Sequence, residues 1–387
     1  MSLDVLTPVN ADILAFKDQK SPHCIENTIS IHTQEEGIPD LKNKKLAIIG
    51  VLENRNTPNE NDFINIDGFR KSFYNLFPGH WHLDLVDLGD IKPGHTFKDT
   101  CFALKSVLSF LYQKHIIPVI IGGTQALTYV QYRAFDDVKR MVNLVNIDSR
   151  FDMGNFNQDI NSSNFVSHCV LEQPYNLFNY TTIGYQTFYN SQEEIELMEQ
   201  LSFEAYRLGE ATDNLQFSEP LLRDANIVSI DASSIQSTEL SKKENGSANG
   251  FYGREICALT RYAGISEKVS SFSCCEFNLN THQNAASNLL AQMIWYFIEG
   301  VNFRVQEDFS LDTKYYQKFS VLLEEKELIF FKSLKTQRWW LEIPFFLNVN
   351  NKLKKQALLP CTWQDYEAAM KGKLPERWLK AIKKNAL

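Results

Sequence analysis

From Lys45 onward the chain alternates short apolar, β-branched runs with longer stretches whose apolar residues recur at helical spacing. The runs 46–51, 82–88, 116–121, 142–148, 166–171, 181–185, 204–208, 227–231 and 269–275 read as strands. The stretches 100–115, 192–201, 253–263 and 283–299 have the period and length of crossover helices. Strands buried on both faces lose the in-out alternation of a half-exposed sheet. Near-continuous apolar runs separated by helices therefore predict a three-layer α/β body with a mainly parallel, doubly wound sheet. This body spans 45–300, with residues 1–44 packed on it as an N-terminal segment and 301–387 as a small C-terminal appendage. The Gly-, Ser-, Asn- and Lys-rich stretch 241–250 reads as an exposed loop.

In open parallel sheets, functional groups gather at the carboxyl ends of the strands. Four expected strand ends carry polar clusters: Gly122-Gly123-Thr124-Gln125, Asp148-Ser149-Arg150-Phe151-Asp152, Asp231-Ala232-Ser233-Ser234 and Cys275-Glu276-Phe277-Asn278. An Asp at a strand end also serves as a cap or turn former, and Gly122-Gly123 also permits a tight strand-to-helix turn. The coincidence of the acids on separate strand ends favours one shared site. His168 reads as a core histidine on a strand, and Cys274-Cys275 as small buried hydrophobes. No Ser-His-Asp set and no phosphate-binding loop of the P-loop or dinucleotide type is present in the sequence.

Composition adds the class and an asymmetry. At 44% hydrophobic and 22% charged residues the chain is of globular type. It lacks an N-terminal secretory pattern and any apolar run of the roughly 20 residues a spanning helix needs, so it reads as cytoplasmic. Seven cysteines at irregular spacing fit reduced thiols better than a disulfide framework or a zinc site. The net charge is -8, yet residues 301–387 carry 16 Lys and Arg against 10 Asp and Glu, with four of the six tryptophans. In that tail, 325–331 and 339–346 suggest a hairpin and Lys352, Lys354 and Lys355 a basic turn. Thr362 and Pro375-Glu376 suit the openings of two short helices. Aromatics beside basic residues favour a protein partner or a homo-oligomer mate; alternatively Trp339, Trp340 and Trp363 pack the appendage onto the body. The acidic body argues against nucleic acid.

The order and spacing of these strand ends resemble the ureohydrolase family of arginases, agmatinases and formimidoylglutamases. The resemblance runs from about Lys45 to Gly300 through Ile49-Gly50-Val51, Gly68-Phe69-Arg70, Leu88-Gly89-Asp90-Ile91 and Glu276-Phe277-Asn278-Leu279. The stretch from Ser167 to Asn190 looks nearest to the formimidoylglutamase branch. The likeness implies an arginase-like fold and a hydrolase whose two manganese ions activate a bridging hydroxide for attack on an amidine or guanidinium carbon. It also implies which positions held the metals. Asp148, Asp152 and Asp231 remain, whereas Gln125 and Arg150 stand where the two His ligands would be and Ser233 stands where the last Asp would be. Glu276 matches a position that contacts the substrate's cationic group. His168 lies near where the family has a mobile proton-transfer residue.

A binuclear site needs enough strong donors to hold two dications about 3.5–4 Å apart. Glutamine and serine are weak, neutral donors, and a guanidinium cannot ligate at all. Placed about 4 Å from a dication it is repelled by roughly 4 kcal/mol per charge pair at an effective dielectric of about 20. Three acids converging without a cation either take up protons or bind a planar cationic fork. The expectation is therefore a catalytically degenerate protein without a metal cofactor, in which Arg150 is the internal counter-ion of Asp148, Asp152 and Asp231 and which acts through protein binding or assembly. The alternative is an active formimidoylglutamase-like hydrolase of a linear amidine, with manganese held by Asp148, Asp152 and Asp231. On either view Arg150→His alone leaves a two-manganese site unrestored, because Gln125 and Ser233 still lack donor strength; calorimetric titration with Mn2+ checks this.

Overall fold

The computed structural model describes residues 3–15, 21–57, 65–138, 141–240, 247–279, 285–307, 314–323, 326–344 and 358–386. Among them the body strands are β1 (Leu6–Thr7), β2 (Ser30–Ile31), β3 (Leu46–Val51), β4 (Leu85–Ile91), β5 (Ile117–Ile121), β6 (Val142–Ile147), β7 (Leu177–Tyr185), β8 (Glu204–Arg207), β9 (Ile227–Asp231) and β10 (Ser271–Cys275). They form one sheet in the order β1-β4-β3-β5-β10-β9-β6-β7-β8, with β2 also on β4. All its pairings are parallel except β1 on β4. Strands such as β3 (LAIIGV) and β5 (IPVII) are buried at every position, as a sheet covered on both faces requires. One apolar cluster fills the face under helices Gly253–Ile265 and Ala285–Asn302, and a second fills the face under Phe97–Gln113. The body has three layers built on a mainly parallel sheet with helices on both faces, and an extra antiparallel sheet lies toward the C-terminus.

The strand expected at 82–88 lies three residues later, at Leu85–Ile91. Gly89 makes this possible: it sits at φ +80°, and a Cβ there would lie 1.9 Å from the Thr7 carbonyl oxygen of β1. The run 166–171 is not a strand but the helix Phe165–Leu171. Its buried Phe165, Val166 and Cys169 recur at i, i+1 and i+4, a helical spacing that a seven-residue apolar run leaves ambiguous. The N-terminal segment joins the sheet through β1 and β2, and His32 Nδ1 lies 2.9 Å from the Leu88 carbonyl. Of the loop expected at 241–250, residues 241–246 lie outside the described residues.

The appendage forms its own antiparallel sheet, β11 (Tyr316–Leu323), β12 (Lys326–Ser333), β13 (Trp339–Glu342) and β14 (Leu358–Cys361), in that order. The expected hairpin is β12 with β13, paired Phe331 to Trp340. β11 and β14 escaped the sequence reading. Thr362 caps the helix Trp363–Met370 with a reciprocal Asp365 contact, and Glu376 opens the helix Glu376–Ala386. The basic turn Lys352, Lys354, Lys355 lies outside the described residues. Trp339, Trp340 and Trp378 are buried, and Trp363 is 45% exposed. Most of the indole surface expected to meet a partner is thus spent inside this chain.

Buried cations fasten the appendage to the body. Arg223, at the end of helix Ser218–Arg223, donates Nη2 hydrogen bonds to the Trp339 and Cys361 carbonyls at 3.2 and 3.0 Å and lies 4.6 Å from the Trp340 ring centroid. Arg377 pairs with Glu204 of β8 at 2.7 Å and donates to the Pro360 carbonyl. Removing one member of a buried pair leaves the other charge uncompensated, so Arg377→Met should cost roughly 3 kcal/mol. Urea unfolding of the whole chain, followed by tryptophan fluorescence, measures it.

Candidate functional site

The carboxyl ends of β5, β6, β9 and β10 bring the four predicted clusters together. After β5 the chain turns through Gly122 and Gly123 at φ +85° and +80°. A Cβ on Gly123 would meet the Leu127 side chain at 2.6 Å. That turn delivers Gln125, which is buried, and its backbone N–H donates to Glu276 Oε1 at 3.1 Å. Glu276, itself at φ +61°, also accepts from Thr57 Oγ1 at 2.7 Å. The Glu276 carboxylate is therefore anchored from two loops.

At the centre lies Asn146, fully buried in β6. Its Oδ1 accepts from Gln125 Nε2 at 2.8 Å, and its Nδ2 donates to Asp148 Oδ2 at 3.1 Å, with longer contacts of 3.5 Å to Asp152 Oδ2 and the Tyr180 hydroxyl. On its other side, Asp148 Oδ1 accepts from Ser233 Oγ at 3.1 Å, and the Ser233 and Ser149 hydroxyls are 3.0 Å apart. Asp231 Oδ1 accepts from the Ser233 backbone N–H. The two positions with weak donors, Gln125 and Ser233, thus act as hydrogen-bond donors to the acid cluster, Gln125 through Asn146.

Burial pushes the Asp152 carboxyl well above the usual carboxylate range, and the neighbouring Asp148 and Asp231 push it the same way. Burial likewise raises Asp231, with Asp148 and Glu276 adding to it. A protonated Asp152 donates to Asp148, which removes a repulsion and supplies a hydrogen bond together.

Arg150 is not the counter-ion expected among these acids. Asp148 Oδ1 accepts the Arg150 backbone N–H at 3.0 Å, closing a turn that directs the side chain outward. The exposed guanidinium lies 4.9 Å from the Tyr189 ring centroid and donates Nη1 to the Tyr189 carbonyl at 3.3 Å. Among the described residues it forms no ion pair. Its charge opposes the rise at Asp152 but ranks behind burial and both neighbouring acids. An exposed guanidinium stays hydrated, whereas seating it in the cluster would require desolvation; Asn146 and Ser233 donate hydrogen bonds to the acids instead.

His168 sits on a helix rather than a strand, with Nδ1 2.6 Å from Glu172 Oε1 and its ring against Phe156. Sequence reasoning missed Asn146, Thr57 and Tyr180 as site residues. Asn146 had a signal: it is the polar residue next to the end of an otherwise apolar buried strand, and such a group must find partners. Among the described residues no group of three His, Cys, Asp or Glu side chains has the arrangement of a metal site.

Comparison with known proteins shows the fold to be arginase-like. The family model described as the arginase family matches residues 65–299. Trypanosoma cruzi formiminoglutamase, solved with Mn2+, superposes with a TM-score of 0.62 at 18% identity, over 73% of this chain and 99% of that one. Formimidoylglutamase from Bacillus subtilis gives 0.59 at 15% identity, over 76% and 99%. Agmatine ureohydrolase of Thermoplasma volcanium gives 0.57 at 18%, over 74% and 96%. No curated protein matches the chain in sequence.

A group whose folded-state pKa is raised holds its proton in the native state. The stability it contributes is complete below its unfolded pKa, near 4, and is lost as pH rises through the folded value. The melting temperature of the wild type should therefore fall as pH is raised from about 4 toward neutrality by more than that of Asp152→Asn, which cannot titrate at this position. Calorimetry across that range reads the difference.

Proposed function

Because the chain belongs to the arginase family, we propose that it is a member that has given up hydrolysis for binding, its strand-end acids held by hydrogen bonds within the protein rather than by manganese. The Gln125–Asn146 amide pair carries this reading. Asn146 Nδ2 points its N–H groups at Asp148 and Asp152, so it occupies acceptor positions on both acids that a cation would otherwise use. The donor set does not fit two manganese ions: three carboxyls, an amide and a hydroxyl are present, no imidazole stands at either His position, and Arg150 is turned away.

The partner expected on the C-terminal appendage has Trp363 as its most exposed indole there, since Trp339, Trp340 and Trp378 face inward. No helix among the described residues is long and apolar enough to cross a membrane. Elemental analysis of the purified protein, followed by assay of ammonia and formamide release with added Mn2+ against arginine, agmatine and formimidoylglutamate, tests the proposal. The expected result is substoichiometric manganese and no release. Stoichiometric manganese with metal-dependent release would instead establish an active hydrolase of a linear amidine, with Asp148, Asp152 and Asp231 as ligands.

A further inference from the structure

The helix Glu376–Ala386 meets the body at the start of β8, and the charges there are unequally matched. Glu204 is the carboxylate at this junction. Its Oε2 accepts from Arg377 at 2.7 Å and from the Tyr206 hydroxyl at 2.9 Å, and its Oε1 accepts from Asn179 Nδ2 at 3.0 Å. Lys380 Nζ donates to the Phe203 carbonyl at 3.0 Å. Lys384, one turn further along, has no ion pair among the described residues: Nζ donates to Asn179 Oδ1 and lies 5.5 Å from the Phe203 ring centroid.

An ammonium group sunk into such a junction loses hydration without gaining a carboxylate of its own. Among the described residues, the charged groups facing Lys384 are Arg377 and Lys380 on its own helix, Glu204 on β8, and Asp224 just after helix Ser218–Arg223. Asp224 is already engaged with Lys268 at 2.5 Å. From this geometry we propose that the proton on Lys384 sets how firmly the C-terminal helix is docked, so that the appendage is a latch that tightens when that proton leaves.

Burial pulls the Lys384 amine down to about 8, with Lys380 and Arg377 pulling the same way and Glu204 and Asp224 opposing. A lysine in the undocked helix keeps its ordinary value near 10.4. Between these two values the undocked state binds more protons than the docked one, so docking strengthens as pH rises through that window. The Asn179 Oδ1 bond and the Phe203 ring both favour the ammonium and so oppose the effect of burial, though an amine N–H still donates to Asn179 Oδ1 after the proton has left.

The test uses the full chain and limited trypsin cleavage after Arg377 and Lys380. The rates are normalised at each pH to a free peptide of the same sequence, which removes the pH dependence of the protease itself. From pH 7.5 to 9.5 the wild type should become roughly tenfold more resistant, as linkage of a lysine with such a depressed pKa requires. Lys384→Met, neutral throughout, should be resistant and flat with pH; Lys384→Arg, charged throughout, should be sensitive and flat. A wild-type rate that does not change over this range, or an equal change in the wild type and both variants, would overturn the proposal.

Discussion

Three carboxylic acids buried side by side at the ends of two parallel strands cannot all be ionised without compensation, and the arrangement around them follows from that constraint. Asp148, Asp152 and Asp231 lie where the fold gathers functional groups, each at most 5% exposed. Three sources within the chain supply that compensation: burial favours the protonated form of Asp152, Asn146 donates amide N–H groups, and Ser233 donates its hydroxyl. Each source is neutral, so none demands the desolvation of a full charge. This explains why the polar residues around the acids are amides and hydroxyls, and why the guanidinium two residues from Asp148 is free to lie on Tyr189.

The same preference governs the junction with the appendage, with the opposite sign. There the body pairs the buried carboxylate of Glu204 with the appendage, Asp224 being engaged with Lys268, and the appendage supplies Arg377, Lys380 and Lys384. Arg377 can satisfy Glu204 and a carbonyl together because its donors are spread over a planar fork. Lys380 adds the Phe203 carbonyl to an ion pair with Glu376 on its own helix, and Lys384 uses an amide oxygen. Arg223 repeats the pattern on the other flank, where carbonyls of β13 and β14 and the Trp340 ring receive it. A basic, aromatic tail is therefore in large part the complement of its own body, and its charge is only partly available to anything else.

Strands buried on both faces were legible because they have no other use for a run such as Leu46–Val51 or Ile227–Asp231, both of which occur at the positions their composition suggests. The convergence of the four strand ends followed from the parallel topology. The reading failed where composition underdetermines conformation. Seven residues around His168 suit a strand or a helix equally until their neighbours choose. β11 carries Gln317, Lys318 and Ser320 on exposed positions and has no continuous apolar signature. β14 contains Pro360, a residue that marks a strand only where its missing N–H costs little. For Arg150 the sequence supplied the position and the charge, but the direction of its side chain was decided by a turn closed through the Asp148 side chain and by a tyrosine 39 residues away.

The place of β10 in the sheet has a consequence for how the body is made. This strand, the last of the body, lies between β5 and β9 and joins two groups that do not otherwise touch through strand pairing: β1-β4-β3-β5 on one side and β9-β6-β7-β8 on the other. Until Ser271–Cys275 is in place, the two groups have no shared backbone ladder, and the turn after β5 cannot reach the acids of β6 and β9 in register. Such distant pairing closes late, because the loop entropy is spent before the contacts repay it. On a chain emerging from its N-terminus, both halves can be compact while the crevice between them does not yet exist, and it comes into being in the step that inserts the central strand.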